Sequence, residues 1–374
     1  MYNVNSGAYL FRLAMLGLTF GPLIIAVFIS QGLLVPGLQQ GFAGLFFLGA
    51  AHVPATLYLI CDHGIRDLLF AHPIKLIAVP LVLFGASTTI LTFASLDSVL
   101  LFMLVYVAYG AWHFGRQNIG VLAVSCMSSG TGPIHQRTRN IVNLGVISGI
   151  LGVFSTLPPK YGLDPDLFGS SPGKFELFFT VTYLVGLSLL VITAGLFLID
   201  VLYRRRQMGV LNATIYLGSA LFFLPIFCGN NPLITVSSYT TSHGLQYVAF
   251  LAFLAFSKSR YGAGHQTIWP LIAFTVIMAL AVSITLYPSM LTFVSQPVTE
   301  FIAGYSLSES QFLRSVFGGS VGITLMHYWI DQSVWRLRDP ERRSWFRTQF
   351  ALILPQTELK ATNSRANPAP SGLL

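Results

Sequence analysis

YGAWHFGRQNIG, Tyr109 to Gly120, sets a histidine, an arginine, a glutamine and an asparagine at the end of a long apolar run. Read as the closing turns of a bilayer-spanning helix, this stretch makes the chain a membrane bundle with polar chemistry inside it. The composition agrees. With 54% hydrophobic residues, 9% charged residues and a mean hydropathy of +0.69, the chain lies outside the range of soluble domains. The expected fold is all-α, a polytopic integral membrane helix bundle, in the inner (cytoplasmic) membrane if the source is bacterial.

A span needs about 20 apolar residues to cross ~30 Å of hydrocarbon. That window divides the chain into ten segments, at roughly 9–35, 41–62, 75–94, 97–117, 140–157, 176–203, 210–229, 233–257, 268–287 and 311–335. Basic residues fall after every second segment: Arg66 and Lys75, Arg137 and Arg139, Arg204 to Arg206, Lys258 and Arg260. The alternate loops carry little such charge, except near 158–175, where Lys160 and Lys174 are offset by Asp164, Asp166 and Glu176. By the positive-inside rule both termini are expected in the cytoplasm. Arg336, Arg338, Arg342, Arg343 and Arg347 after the last segment agree. The net charge of +8 therefore reports topology and does not imply nucleic acid. The first segment lacks a basic leader and a small-residue cleavage site, so it reads as a retained helix.

Residues 1–347 are expected to form the transmembrane domain and 348–374 a disordered cytoplasmic tail, ending in KATNSRANPAPSGLL. Cys61, Cys126 and Cys228 stand singly in apolar runs and read as small core residues. SGTGP, Ser129 to Pro133, is a turn without the strand and lysine of a phosphate loop. No transporter-like inverted repeat is visible. The run CDHGIRDLLFAHPIK, Cys61 to Lys75, reads as an amphipathic helix along the cytoplasmic interface.

Polar residues inside such segments are costly and normally face the bundle interior. His52, His113, His243 and His327 lie on the second, fourth, eighth and tenth segments, which all run in one direction. At 1.5 Å rise per residue their depths agree to within ~10 Å. One such histidine most often bridges two helices by a hydrogen bond. Four at one depth point to a shared transition metal, for which neutral imidazole is a common ligand. His63, His72, His135 and His265 belong to loops. Residues four apart share a helix face, which pairs His327 with Asp331, His113 with Gln117 and His243 with Tyr247. Tyr247 and Asp331 are the candidate catalytic side chains, with Tyr109 and Trp112 nearby. Arg116, Gln117, Asn118, Gln246, Asp331, Gln332 and Arg336 form a polar group at the cytoplasmic mouth. There the arginines either anchor helix ends by snorkelling or, with Gln117 and Gln246, bind the anionic end of an amphiphilic substrate.

One histidine on each of several separated spans, WHFG at the second position and a final His-x-x-x-Asp helix together resemble the membrane beta-carotene cleavage dioxygenases of the Brp/Blh type. The resemblance implies an all-helical membrane enzyme holding non-haem iron on histidines and splitting a carotenoid double bond with dioxygen. His52 matches that family's first histidine, His113 that of its His-Phe-Gly motif, His243 the start of its His-x-x-x-His helix, and His327 a late histidine near an aspartate. The chain departs from the pattern at Tyr247, where the family has a second histidine, in lacking Pro-His-Gly-x-x-Asp, and in being longer.

The expected function is a histidine-ligated non-haem iron oxygenase acting on an isoprenoid, carotenoid or fatty substrate, with room for a redox partner. Aromatic walls would orient the substrate, and 30 phenylalanines and 15 tyrosines can supply them. Two alternatives stand beside it: a proton- or metal-coupled transporter, and a b-haem electron carrier.

Overall fold

The computed structural model describes residues 6–32, 38–160, 172–204, 208–261, 268–293, 311–336 and 339–354. Among them every regular element is helical. The first are α1 (Ser6–Ser30), α2 (Leu38–Ala50), α3 (His52–Ala55), α4 (Leu57–Ile60) and α5 (His63–Ala71). A π-helical turn, Ile74–Ala78, runs into α6 (Val79–Phe93). Then follow α7 (Leu96–Ser128), α8 (Gln136–Lys160), α9 (Pro172–Arg204), α10 (Val210–Ala220), α11 (Pro225–Cys228) and α12 (Pro232–Tyr261). The last are α13 (Trp269–Phe293), α14 (Gln311–Val334) and α15 (Pro340–Gln349).

Among the described residues four helical stretches are long and apolar enough to cross a bilayer: Ser6–Ser30, Ile74–Phe93, Ser98–Ser128 and Pro172–Arg204. A fifth forms if Gly44–Ile60 is joined to Gly64–Ala71 across its 87° bend. Helices α12 and α14 fall short in hydropathy because they carry polar side chains, and many of those point inward. Thr241, Ser242, His243 and Gln246 on α12 are buried, as are His327 and Asp331 on α14. The outward face of α9 is instead apolar, with Leu177, Val181, Leu184, Val191 and Leu198 exposed. Polar groups inside and large apolar side chains outside are the distribution expected of a bundle solvated by hydrocarbon.

Several sequence expectations are corrected. The segment expected to end near residue 117 continues to Ser128, so YGAWHFGRQNIG sits in the middle of a 33-residue helix. The Gln117 amide donates to the His243 carbonyl at 2.8 Å, so the polar residues here do not terminate the helix. Ser125 donates to Asn212 Oδ1 at 2.7 Å, and Asn118 Oδ1 accepts from Gln246 at 3.3 Å. Arg137 and Arg139 lie in the first turns of α8, not in a loop. Of the cysteines only Cys126 is buried, while Cys61 and Cys228 are exposed. Residues 348–354, expected to open the tail, are packed: α15 runs to Gln349, and Phe350, Ile353 and Leu354 are buried. Phe350 has aromatic partners in the bundle, Phe250 and Trp335 among them. Residues 355–374, most of the 158–175 loop, and Arg205 and Arg206 lie outside the described residues.

Small residues let the helices carrying the site approach closely. Helix α12 meets α2 where Gly244 faces Gly49, and a Cβ on Gly244 would stand 2.1 Å from the Gly49 carbonyl oxygen. Helix α14 meets α6 in the same manner, since a Cβ on Gly322 would stand 2.5 Å from Ser87 Oγ. On the far side of the bundle the buried Asp200 pairs with Arg204 and accepts from Thr138 at 3.3 Å, joining α9 to α8.

One carboxylate ties three elements together. Asp62 caps α5 by accepting from the Ile65 N–H at 3.2 Å, pairs with Lys258 on α12, and accepts from the Trp345 indole at 3.0 Å on α15. Asp62→Ala removes all three contacts and is expected to cost about 2–3 kcal/mol from the cap and the charged hydrogen bonds. Protease cleavage within 340–354 should accelerate in this variant. Unchanged cleavage and unchanged thermal unfolding would show that α15 is held by its aromatic contacts alone.

Candidate metal centre

Four histidines reach one point from four helices. His52 opens α3, His113 lies midway along α7, His243 on α12 and His327 on α14. Pro54 offers no N–H to the carbonyl four residues earlier, and the chain here is broken into the short helices α3 and α4 beyond α2. The break turns His52 into the bundle.

None of the four exposes more than 3% of its surface. The ring centroid of His52 lies 4.7 Å from those of both His243 and His327. His113 lies 4.7 Å from His243 and 5.5 Å from His327. Asp331, one turn after His327, brings Oδ2 to 3.6 Å from His113 Nε2.

The surroundings orient two of these rings. His52 Nδ1 lies 2.5 Å from the Gly49 carbonyl, which can only accept, so the ring proton sits on Nδ1 and the lone pair on Nε2. His327 Nδ1 lies 2.7 Å from Thr56 Oγ1, and that hydroxyl is 3.3 Å from the Tyr247 phenol. The His113 ring stacks on Tyr328 at 4.2 Å between centroids. Hydrogen bonds of this kind from the remote ring nitrogen are how metal-binding histidines are held in place.

What remains is a set of buried atoms without protein partners: Nε2 of His52 and His327, both ring nitrogens of His113 and His243, and Oδ1 of Asp331. An unsatisfied buried polar atom costs about 1–3 kcal/mol. Left so, the set would consume the net stability of an ordinary domain, about 5–15 kcal/mol. A cation answers the converging lone pairs together. Two overlapping groups bring one ligand atom from each residue within 4.8 Å of one another: His52, His243 and His327, and His113, His327 and Asp331. Three ligand atoms about 2.1 Å from one ion stand about 3.0–3.6 Å apart, so the atoms of either group would close up by about 1 Å to share one. The residues fit a transition metal.

Beside the cluster lies a cavity of about 180 Å³. His113, Tyr247 and Asp331 line it, together with the aromatic Phe250 and Trp335. Arg116, Gln117 and Arg336, expected at the mouth, line it, and so does Arg139 from α8. Gln246 does not. It is buried, donating to Thr19 Oγ1 at 2.7 Å and accepting from Gln117 at 3.0 Å, so its place is in a bridge between α1, α7 and α12. Gln117 also differs from its expected pairing with His113, since its amide donates to the backbone carbonyl of His243 at 2.8 Å.

Sequence reasoning missed Thr56, Tyr328 and Arg139. Thr56 was within reach, because it lies four residues after His52 and the same-face rule that pairs His327 with Asp331 selects it. Tyr328 had no signal among so many aromatics. Comparison of the chain with protein-family models, curated proteins and solved structures gives no match.

Proposed function

We propose that the protein is a ten-span membrane enzyme, with both termini cytoplasmic, that holds iron on His52, His113, His243 and His327 with Asp331 and oxidises a lipid-soluble substrate. The convergence of partnerless buried imidazole nitrogens carries this reading. Ten apolar segments of the sequence, with basic residues after every second one, support the topology. Two histidines and a carboxylate, as in His113, His327 and Asp331, make up the ligand type of non-haem ferrous oxygenases. The resemblance to the Brp/Blh-type dioxygenases points the same way. A haem fits less well, because the four rings contact one another edge to face and leave little room for a macrocycle between them.

Iron bound here would supply oxidative chemistry with dioxygen, with electrons from a redox partner where the reaction needs them. The protein's own groups do the rest. Thr56 and the Gly49 carbonyl orient His327 and His52. Tyr247, bordering the cavity with its hydroxyl beside Thr56, is placed to hold a proton near a substrate. Phe250 and Trp335 exclude water and offer an apolar face to a carbon chain.

Elemental analysis with an absorption spectrum, on detergent-purified wild type and His113→Ala, tests the reading. Stoichiometric iron without a Soret band, lost in the variant, is the expected result. A different stoichiometric metal would overturn iron and keep the site. A folded, metal-free wild type would sink the proposal and leave the polar cluster to bound water.

A further inference from the structure

We infer that the cavity beside the histidines binds an amphiphilic anion, with a carboxylate or phosphate at Arg139 and Arg336 and its apolar stem reaching toward His113. This deepens the metalloenzyme reading and rests on it.

The cavity wall is divided by charge. Three guanidinium groups, of Arg116, Arg139 and Arg336, come from α7, α8 and the residues just after α14. Among the described residues Asp331 is the one carboxylate on that wall, and its Oδ2 lies 3.6 Å from His113 Nε2. Among the described residues no carboxylate forms an ion pair with Arg139 or Arg336. Lys75 lies close enough to Arg336 to add to the same positive field.

The lining also holds apolar side chains, among them Ile119, Val121, Val124 and Phe250. Arg336 follows Asp331 by five residues and Val124 follows His113 by eleven, which at 1.5 Å per residue spans about 8–16 Å. A ligand matching this wall has an oxyanion at one end and carbon at the other. The planar fork of arginine suits carboxylate and phosphate, which it binds by paired hydrogen bonds. A wholly apolar ligand would leave these arginines unanswered.

The test uses full-length protein in a neutral detergent, so that bilayer phosphates do not compete. Trp335 on the cavity wall reports binding through quenching by 9,10-dibromostearate, compared with its methyl ester. Trp335→Phe should remove the saturable part of the signal. The acid is expected to bind at least about tenfold more tightly than the ester, the size of one charge-assisted contact. Arg139→Gln and Arg336→Gln should each weaken the acid by roughly that factor and leave the ester unchanged. Arg139→Lys and Arg336→Lys, which keep the charge, should retain part of the preference.

Inorganic phosphate that displaces the acid would support the same oxyanion end with a soluble source. Equal affinity for acid and ester, or glutamine variants that bind the acid as wild type does, would overturn the inference. Iron content is measured on the same samples. Bound iron without a preference for the acid sinks this inference alone, and a preference for the acid in metal-free wild type sinks the metal reading alone.

Discussion

His327→Ala is expected to take the metal content of the purified protein from about one ion per chain to background. His327 belongs to both groups of ligating atoms, the one with His52 and His243 and the one with His113 and Asp331. Its loss therefore leaves at most two close donors in either group. Thr56→Val is the comparison that gives the result meaning. It keeps the volume of the side chain but removes the hydroxyl 2.7 Å from His327 Nδ1. Loss of such a supporting hydrogen bond typically weakens metal affinity 10–100-fold. The expected order in a chelator competition is wild type, then Thr56→Val, then His327→Ala with no measurable binding. His327→Gln, closer in volume, separates loss of the ligand from loss of packing. If His327→Ala and His327→Gln both retain metal at wild-type affinity while remaining monodisperse, the histidines are interhelical hydrogen-bonding groups and the metal reading fails.

The all-helical class was legible because membrane helices advertise themselves by unbroken apolarity, as in α1 and α9. Helix ends were less legible, for a physical reason visible at Gln117 and Asn118. A hydropathy window treats a buried amide as it treats an amide in water. Here these amides meet Gln246 and the His243 carbonyl, and α7 continues for ten residues beyond them. Arg137 and Arg139 were misplaced by the same logic, since a basic residue that starts a helix looks like one in a loop.

At the candidate site, the rule that helix residues four apart share a face brought Asp331 to notice beside His327. Distances between helices were outside its reach, so Asp331 was paired with its own helix neighbour and not with His113. Gln246 shows the reverse error. Its position one turn from His243 suggested the cavity, yet its side chain points at Thr19 on a helix more than 200 residues away in sequence. Which face of α12 looks toward the cavity is decided by α1 and α2, and no periodicity within α12 contains that information.

Gly244→Ala should unfold the protein at a clearly lower temperature and release the metal with it. The added Cβ would meet the Gly49 carbonyl oxygen at 2.1 Å, and both atoms are anchored to helical backbone. No side-chain rotation relieves the clash, so α12 and α2 must separate by about 1 Å to restore ordinary contact. Overpacking of this kind costs about 3 kcal/mol, or roughly 4 °C at about 2 cal/mol/K of unfolding entropy per residue. The consequence for the site follows from where the glycines stand. Gly244 follows His243 directly, and the Gly49 carbonyl is the group that orients His52 through Nδ1. Moving the two helices apart therefore moves two ligands apart and disturbs the acceptor that fixes the tautomer of one of them. Gly145→Ala, whose Cβ would meet the Ala220 carbonyl oxygen at 2.1 Å where α8 meets α10, serves as the control, because neither helix carries one of the four histidines. Metal affinity should fall at least tenfold in Gly244→Ala, as for disturbed supporting groups, and much less in Gly145→Ala. Equal falls in both would mean that the site responds to bundle stability in general and not to the α2–α12 contact.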